Sequence, residues 1–412
     1  MTAEALGRTA HPGFEAFDAL GAAEREAFVR ELKAIEAEAV ASLGEEDLVH
    51  MKRLERWGRA CTAAGYATAW MLPNPISMAL LSTGSMSRWA VVAHHVMHKG
   101  MDRVPGTPVR LTSKGFAEGR RRLLDWFDWF VPEAWHHEHD VLHHGHTNED
   151  HDPDLVELNV ATVRAAKVPR AMKLLVVAAY ACTWKLTYYA PHTMQVLQRK
   201  RRRRAQSDGA RRGTMTDDAR GPERFVAAFD PRTPDGREFW WRSVLPYGLG
   251  RFVVFPALFA PLGPLAVASV WVNSLGAELF TNLHTFVIIA PNHAGEDLWR
   301  FDSKPKDRIE WFLRQLGGST NFSTGGDLND FLHGFLNYQI EHHLFPDLPP
   351  RQYQRIQPRV RALCERFGVP YRQEPVLSRL KKLVAIAVGD SSMRVHRADP
   401  QIRRFSGQFE VR

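Results

Sequence analysis

"NYQIEHHLFPDLPP", residues 337–350, sets two adjacent histidines and a glutamine on a stretch with helical spacing that ends in prolines. Gln339, His342 and His343 stand at i, i+3 and i+4, so a helix carries all three on one face. Gly325 and Gly326 end the preceding element, Asp327 reads as an N-cap, and Pro346, Pro349 and Pro350 stop the run. Alone, the stretch fits either one wall of a metal site or a packed helix with hydrogen-bonded histidines. The rest of the chain has to decide.

The decisive feature is where the histidines fall. The 412 residues include nineteen, and fifteen of them lie in the windows 94–151 and 284–343, with only His192 between. Such clustering points to metal, because imidazole is the commonest nitrogen ligand for iron, zinc and copper. The three cysteines, Cys61, Cys182 and Cys364, are far apart and make neither a disulfide framework nor a CxxC knuckle. The net charge is +8 and the pI about 9.5, which admits nucleic acid, anionic lipid or an acidic protein as partner. No zinc-finger spacing, GxxxxGK loop or RNP-type motif is present, so nucleic acid is set aside.

Read along its length, the chain opens with a polar region, 1–58, holding an amphipathic helix near Gly21–Val40 and no cleavable secretory signal. Residues 61–98 are apolar and broken by "PNP" at 73–75, the pattern of a membrane hairpin whose first leg is short for a span of about 20 residues. "RKRRRR" at 199–204 opens a polar stretch to about residue 236 with the composition of disorder. Residues 244–290 read as two membrane-length helices joined at "PLGP", 261–264. The region 371–412 is basic, polar and expected to be a peripheral tail.

Topology follows from the histidines. If both windows build one site, an even number of crossings separates them. The basic run after residue 190 belongs on the cytoplasmic side, so 172–190 is assigned to the interface and 244–290 to a membrane hairpin. The expected fold is all-α: an integral-membrane bundle of about four spans under a cytosolic helical cap. Mean hydropathy of −0.31 limits the number of spans.

The histidines form three groups: "HHVMH", with His94 and His98 at i, i+4; "HDVLHH", with His139, His143 and His144; and "QIEHH". His293 stands alone after the long apolar helix. Other metal templates fit poorly. A zincin needs HExxH, but His137–Glu138 is followed by Val141 at the required place. Carboxylate di-iron bundles need paired ExxH motifs, and only Glu133–His136 offers one with glutamate.

In HxxxH (94–98), HxxxHH (139–144) followed by "GHTN" and "DPD", and QxxHH (339–343), the sequence resembles the integral-membrane fatty acid desaturases. "NLHTFVIIAPNHAGE" (282–296) is similar to the segment before the third box in bacterial acyl-chain desaturases, and the resemblance runs from about residue 85 to 370. It implies a domain over 59–370 with two non-haem irons and dioxygen as co-substrate. It implies that His94, His98, His139, His143, His144, His293, His342 and His343 are iron ligands. Gln339 stands where many members have histidine and is carried as a metal-site residue. His95 and His146 are expected just outside the ligand set, and Asp152 and Asp154 are expected to orient imidazoles. His333 is expected to be structural, about half a turn from His342. His136, His137, His151 and His284 are left open.

The implied reaction is oxygen-dependent desaturation of a lipid-, CoA- or carrier-protein-bound acyl chain. Alternatives are a hydroxylase, acetylenase or alkene-forming oxidase on the same scaffold, or a non-catalytic membrane metal-binding protein. Trp126, Phe127, Trp129 and Trp135 are candidates for an acyl tunnel or for an interfacial aromatic belt. "HPGF" at 11–14 lacks the second glycine of a fused haem domain, so a separate ferredoxin or cytochrome with its reductase is expected. The 199–204 cluster is suited to anionic lipid, at about 1 kcal/mol per basic residue, or to that acidic donor.

Overall fold

The computed structural model describes residues 20–207 and 227–397. The "HPGF" motif, most of the polar stretch after residue 207 and the last residues of the chain lie outside them. The described chain is mostly helical, with one short parallel pair of strands, β1 (Trp299–Phe301) and β2 (Arg394–His396).

The expected amphipathic helix is α1, Ala22–Ala41, which buries Phe28, Leu32 and Ile35. Next, α2 (Glu45–Ala69) and α3 (Pro75–Met86) form the hairpin announced by "PNP". Asn74 caps α3 by accepting from the Ser77 amide at 2.8 Å. A π-helical turn, Ser87–Ala93, then carries α3 into His94–Met97. The histidine-dense segment is α4, Pro132–Trp135 continuing as the π-helix His136–His143. One helical rod, α5, spans 170–207 with a π-turn at Lys185–Tyr189.

The arginine run therefore does not open a loop: 199–204 is helical, because Arg and Lys are good helix formers. Arg201 also pairs with Glu238 at 2.6 Å, and Arg202 pairs with Asp235. Then α6, Pro234–Leu262, and α7, Pro264–Ile289, meet at Gly263, whose φ of 96° suits glycine. Among the described residues, α6 is the one helix long and apolar enough to cross a membrane by composition alone.

Yet α7 is built inside-out. Ser269, Asn273, Ser274, Glu278, Thr281, Asn282 and Thr285 are buried, whereas Leu275, Leu279, Phe280 and Leu283 are exposed and Leu265 is 85% exposed. The tip of the first hairpin packs against the side of α7, with Asn273 Oδ1 accepting from the Asn74 amide at 2.9 Å and Asn273 Nδ2 donating to Ala69 O at 2.8 Å.

The cap consists of α8 (Arg308–Gly318), α9 (Asp327–Leu332), α10 (Gln339–Leu344), α11 (Pro350–Phe367) and α12 (Val376–Val388). Gly326, not Asp327, flanks α9 at its start. The expected continuous helix through the QxxHH box is broken by Gly334 (φ 64°) and Phe335 (φ 60°). Phe335 tolerates that left-handed backbone because its ring is fully buried and its amide bonds Asp330 O at 2.8 Å. The C-terminal region is no detached tail as far as residue 397. Here α12 packs on α5, and β2 pairs with β1.

Candidate metal centre

The three histidine boxes and His293 converge. One group combines His94, His98, His139 and His342, and a second combines His143, His293 and His343, all of them buried. A third possibility joins His139 and His143 to Asp154. His144 is in none of these groups, but its ring stacks on His343 at 4.2 Å and meets His98 at 4.4 Å, touching both main groups.

The local fold explains the convergence. In α4 the His144 amide bonds His139 O at 3.1 Å, an i to i+5 link. A π-turn has about 4.4 residues, so positions i+4 and i+5 flank the line of residue i, whereas in an α-helix i+5 turns away. HxxxHH can therefore aim all three rings inward.

Hydrogen bonds fix the orientation of the rings. His143 Nδ1 donates to Asp152 Oδ1 at 2.9 Å, and His293 Nδ1 donates to Gly318 O at 3.1 Å. His343 Nδ1 lies 3.2 Å from Gln315 Oε1, and His342 Nδ1 lies 3.2 Å from the Tyr353 hydroxyl. His98 Nδ1 is 3.2 Å from Asp140 Oδ1, within ion-pair range but without hydrogen-bond geometry. Tying Nδ1 outward leaves Nε2 for a metal. Several of those inner nitrogens are buried without a partner: Nε2 of His98 and His343, and both ring nitrogens of His139 and His144.

Orphaned buried imidazole nitrogens are costly unless something binds them. Where inner nitrogens do approach, His94 Nε2 and His342 Nε2 are 3.0 Å apart. Imidazole–metal bonds of about 2.1 Å at right angles would give that spacing. Burial pushes His139, His144, His342 and His343 well below the usual histidine range, so they are neutral at pH 7 and able to ligate. Burial also opposes charge on His143, but the Asp152 carboxylate outweighs it and holds that ring above its ordinary value. The residues fit metal.

Gln339 sits with them. Its Nε2 is 2.8 Å from His293 Nε2, and its Oε1 accepts from Asn292 Nδ2 at 3.1 Å. Asp152 also accepts from the amides of Asn148 and Asp154 at 2.7 and 2.8 Å. Asp154 Oδ2 lies 4.0 Å from His139 Nδ1.

The remaining histidines stand apart from the three groups. His95 Nδ1 bonds Val91 O at 2.6 Å, and His146 Nδ1 bonds Glu149 at 2.9 Å. His333 Nδ1 bonds Asn329 O at 2.8 Å, and His284 Nε2 bonds Leu332 O at 2.7 Å. His151 faces the ring of His146 at 6.4 Å. Sequence reasoning missed Asp140, Gln315, Gly318 and Tyr353. Only Asp140 carried a signal, being a carboxylate inside the second box.

A cavity of about 170 Å³ reaches His94, His139, His143, His293 and Gln339. Of the four aromatics proposed for a tunnel, only Trp135 lines it. Trp126 Nε1 donates to Phe130 O, Trp129 Nε1 donates to Glu278 Oε1, and Phe127 packs on Tyr247. Their spacing beside the second box suggested a lining role, but buried indole N–H groups go where acceptors are. The walls come instead from Trp89, Tyr180, Trp184, Tyr189 and Phe286, with Leu383 and Ala387 of α12.

Comparison with known proteins agrees with this geometry. The fatty acid desaturase family model matches residues 68–375. The chain belongs to the fatty acid desaturase family. Among its curated relatives is an NADPH-dependent stearoyl-CoA 9-desaturase of Mycobacterium tuberculosis, 31% identical over 165 residues, 38% of this chain and 38% of the relative. Another is fatty acid desaturase 3 of Bos taurus, 39% identical over 75 residues, 18% and 17% of the two chains. A fatty acid desaturase 2-like protein of Mus musculus is 36% identical over 79 residues, 19% of this chain and 16% of the relative. The matched stretches thus span well under half of each relative. The buried histidine clusters of this family member could hold metal ions.

Proposed function

We propose that this desaturase introduces a double bond into an acyl chain bound to lipid, CoA or carrier protein. It would use dioxygen, two irons and electrons from a separate ferredoxin or cytochrome served by a reductase. One observation carries the reading: an apolar, aromatic-walled cavity ends on two groups of inward-facing buried imidazoles. The expected ligands are His94, His98, His139, His143, His144, His293, His342 and His343, with Gln339 beside His293. Iron held by nitrogen with open positions supplies the oxygen-dependent removal of hydrogen from an unactivated methylene.

The chain's own residues do the positioning. Asp152, Asp140, Gly318, Gln315 and Tyr353 hold the outer nitrogens. The aromatic walls keep one segment of an acyl chain against the imidazoles and exclude water. The protein is assigned to the membrane with the histidines on the cytosolic side. The support is the inverted polarity of α7 and the exposed apolar residues on α6, including Val253, Val254 and Leu258.

Expression in a desaturase-free host, followed by mass spectrometry of its lipids, tests the reading. New alkenes are expected, together with two irons per purified chain. An alcohol as sole product would assign the scaffold to hydroxylation. One zinc per chain without oxygen-dependent turnover would sink the proposal.

A further inference from the structure

We propose that electrons enter through the face where His136 and His137 reach solvent, from an acidic one-electron carrier protein docked there. The inference rests on the oxygen-dependent reading above and names the place where its reductant binds. The His136 side chain is 42% exposed, and its Nδ1 donates to Asp140 Oδ2 at 2.5 Å. The other oxygen of Asp140 lies 3.2 Å from His98 Nδ1. His98 in turn belongs to the first histidine group. Three side chains, linked by one hydrogen bond and one 3.2 Å approach, thus lie between solvent and the metal centre. Bonded atoms and short polar contacts conduct an electron far better than an equal width of apolar packing. Behind His143 and His293, by contrast, the partners Asp152 and Gly318 are buried.

The surroundings of His136 are basic with an apolar spot. Lys200 Nζ is 3.3 Å from His137 Nδ1, and Lys99 is exposed and near enough to act on the Asp140 carboxyl. Arg203 and Arg204 are exposed further along α5. Val141, on the same π-helix, is 48% exposed. A small apolar centre with a cationic rim suits an acidic protein, and its charge would steer encounter and fix orientation. Anionic lipid would meet the same cations, but a headgroup makes no use of a side-chain path to the centre. That path favours the carrier.

The electron count requires it. Two C–H bonds break as the C=C forms, releasing two electrons and two protons. Reducing dioxygen to two waters consumes four of each. The carrier supplies the other two electrons in two dockings, and solvent supplies the two protons.

The test uses the full-length, iron-loaded protein in lipid nanodiscs, with a reduced acidic [2Fe–2S] ferredoxin as probe. Lys99→Glu with Lys200→Glu should weaken ferredoxin binding at least tenfold and flatten its salt dependence. Turnover driven by ascorbate and phenazine methosulfate, which bypass the face, should stay within twofold. His136→Leu should leave ferredoxin affinity intact and slow ferredoxin-driven turnover about tenfold. Unchanged ferredoxin binding in the double variant would overturn the proposal. So would loss of affinity only for phosphatidylserine vesicles, which would make the face a membrane contact. If the wild type forms no product with either reductant, the acyl-oxidation reading fails instead, and the binding arm still decides the docking face.

Discussion

At the scale of single residues, the site is a set of buried imidazoles, several with the outer nitrogen engaged, whose inner nitrogens converge. Removing one ring removes one metal bond but little of the fold. His98→Ala, His143→Ala and His343→Ala should therefore each abolish turnover and lower iron content, with circular dichroism and detergent elution near wild type. His333→Ala should keep most activity, since its Nδ1 bonds Asn329 O and it belongs to none of the histidine groups. Gln339→His should be tolerated better than Gln339→Ala, because it restores a nitrogen beside His293. Asp152→Asn should weaken iron affinity about 10- to 100-fold while leaving every ring in place. An inactive His333→Ala beside an active His343→Ala would remove the QxxHH box from the site.

Between residues and whole molecule stand the elements, and here sequence and structure part company in instructive ways. The hairpins, the cap and the convergence of the boxes were legible, because proline, glycine and histidine spacing act locally. The π-turns were not: no side-chain pattern distinguishes an i+5 turn, although it is what lets HxxxHH share one face. Arginine composition suggested a loop at 199–204, but Asp235 and Glu238 on another helix give those cations partners. The break at Gly334 and Phe335 depends on burial that only the tertiary fold supplies.

Likewise α12 looked peripheral by charge, yet it is clamped by Arg379, fully buried, with Nη1 donating to Asp297 at 2.7 Å and Nη2 to Ala294 O at 2.9 Å. Lys382 at 3.1 Å would still partner Asp297 without Arg379, but Ala294 O would lose its buried donor, a loss of about 1–3 kcal/mol. Arg379→Met should therefore lower the thermal midpoint and loosen the loop that carries His293.

Burial raises the Asp297 carboxyl, but Arg379 and Lys382 outweigh it and hold it below its ordinary 3.8. The sign is that of a depressed acid. Its stabilisation is full above about pH 4 and is lost as pH falls through the lower native value. Wild type should thus lose more stability than Asp297→Asn below pH 4 in an acid titration followed by fluorescence. Because Ala387 of the same helix lines the cavity, Ala387→Trp should fill part of it. The product profile should then shift toward shorter acyl chains without change in iron content; an unchanged profile would remove α12 from the substrate wall.

For the molecule as a whole, one length matters. From Asn74 at the first hairpin tip to His94 at the site, a helix rises about 30 Å, close to the thickness of a bilayer's hydrocarbon core. The second tip, around Gly263, belongs to α7, whose hydrogen bonds to Ala69 and Asn74 place the two hairpins side by side. Both hairpins then return to the histidines, which accounts for polar residues inside α7 and leucines outside. Along α5, Met172, Leu175 and Val176 are exposed too. That helix ends in arginines, however, and is assigned to the interface rather than to a span. Single cysteines introduced on a Cys61→Ser, Cys182→Ser, Cys364→Ser background decide the matter. Asp150→Cys, Ala205→Cys and Lys304→Cys should react with an impermeant maleimide only from the cytosolic side, and Leu72→Cys and Leu262→Cys only from the opposite side. An external Ala205→Cys would make α5 a crossing. The two histidine windows would then need a different number of spans between them, and the paired-hairpin arrangement would have to be given up.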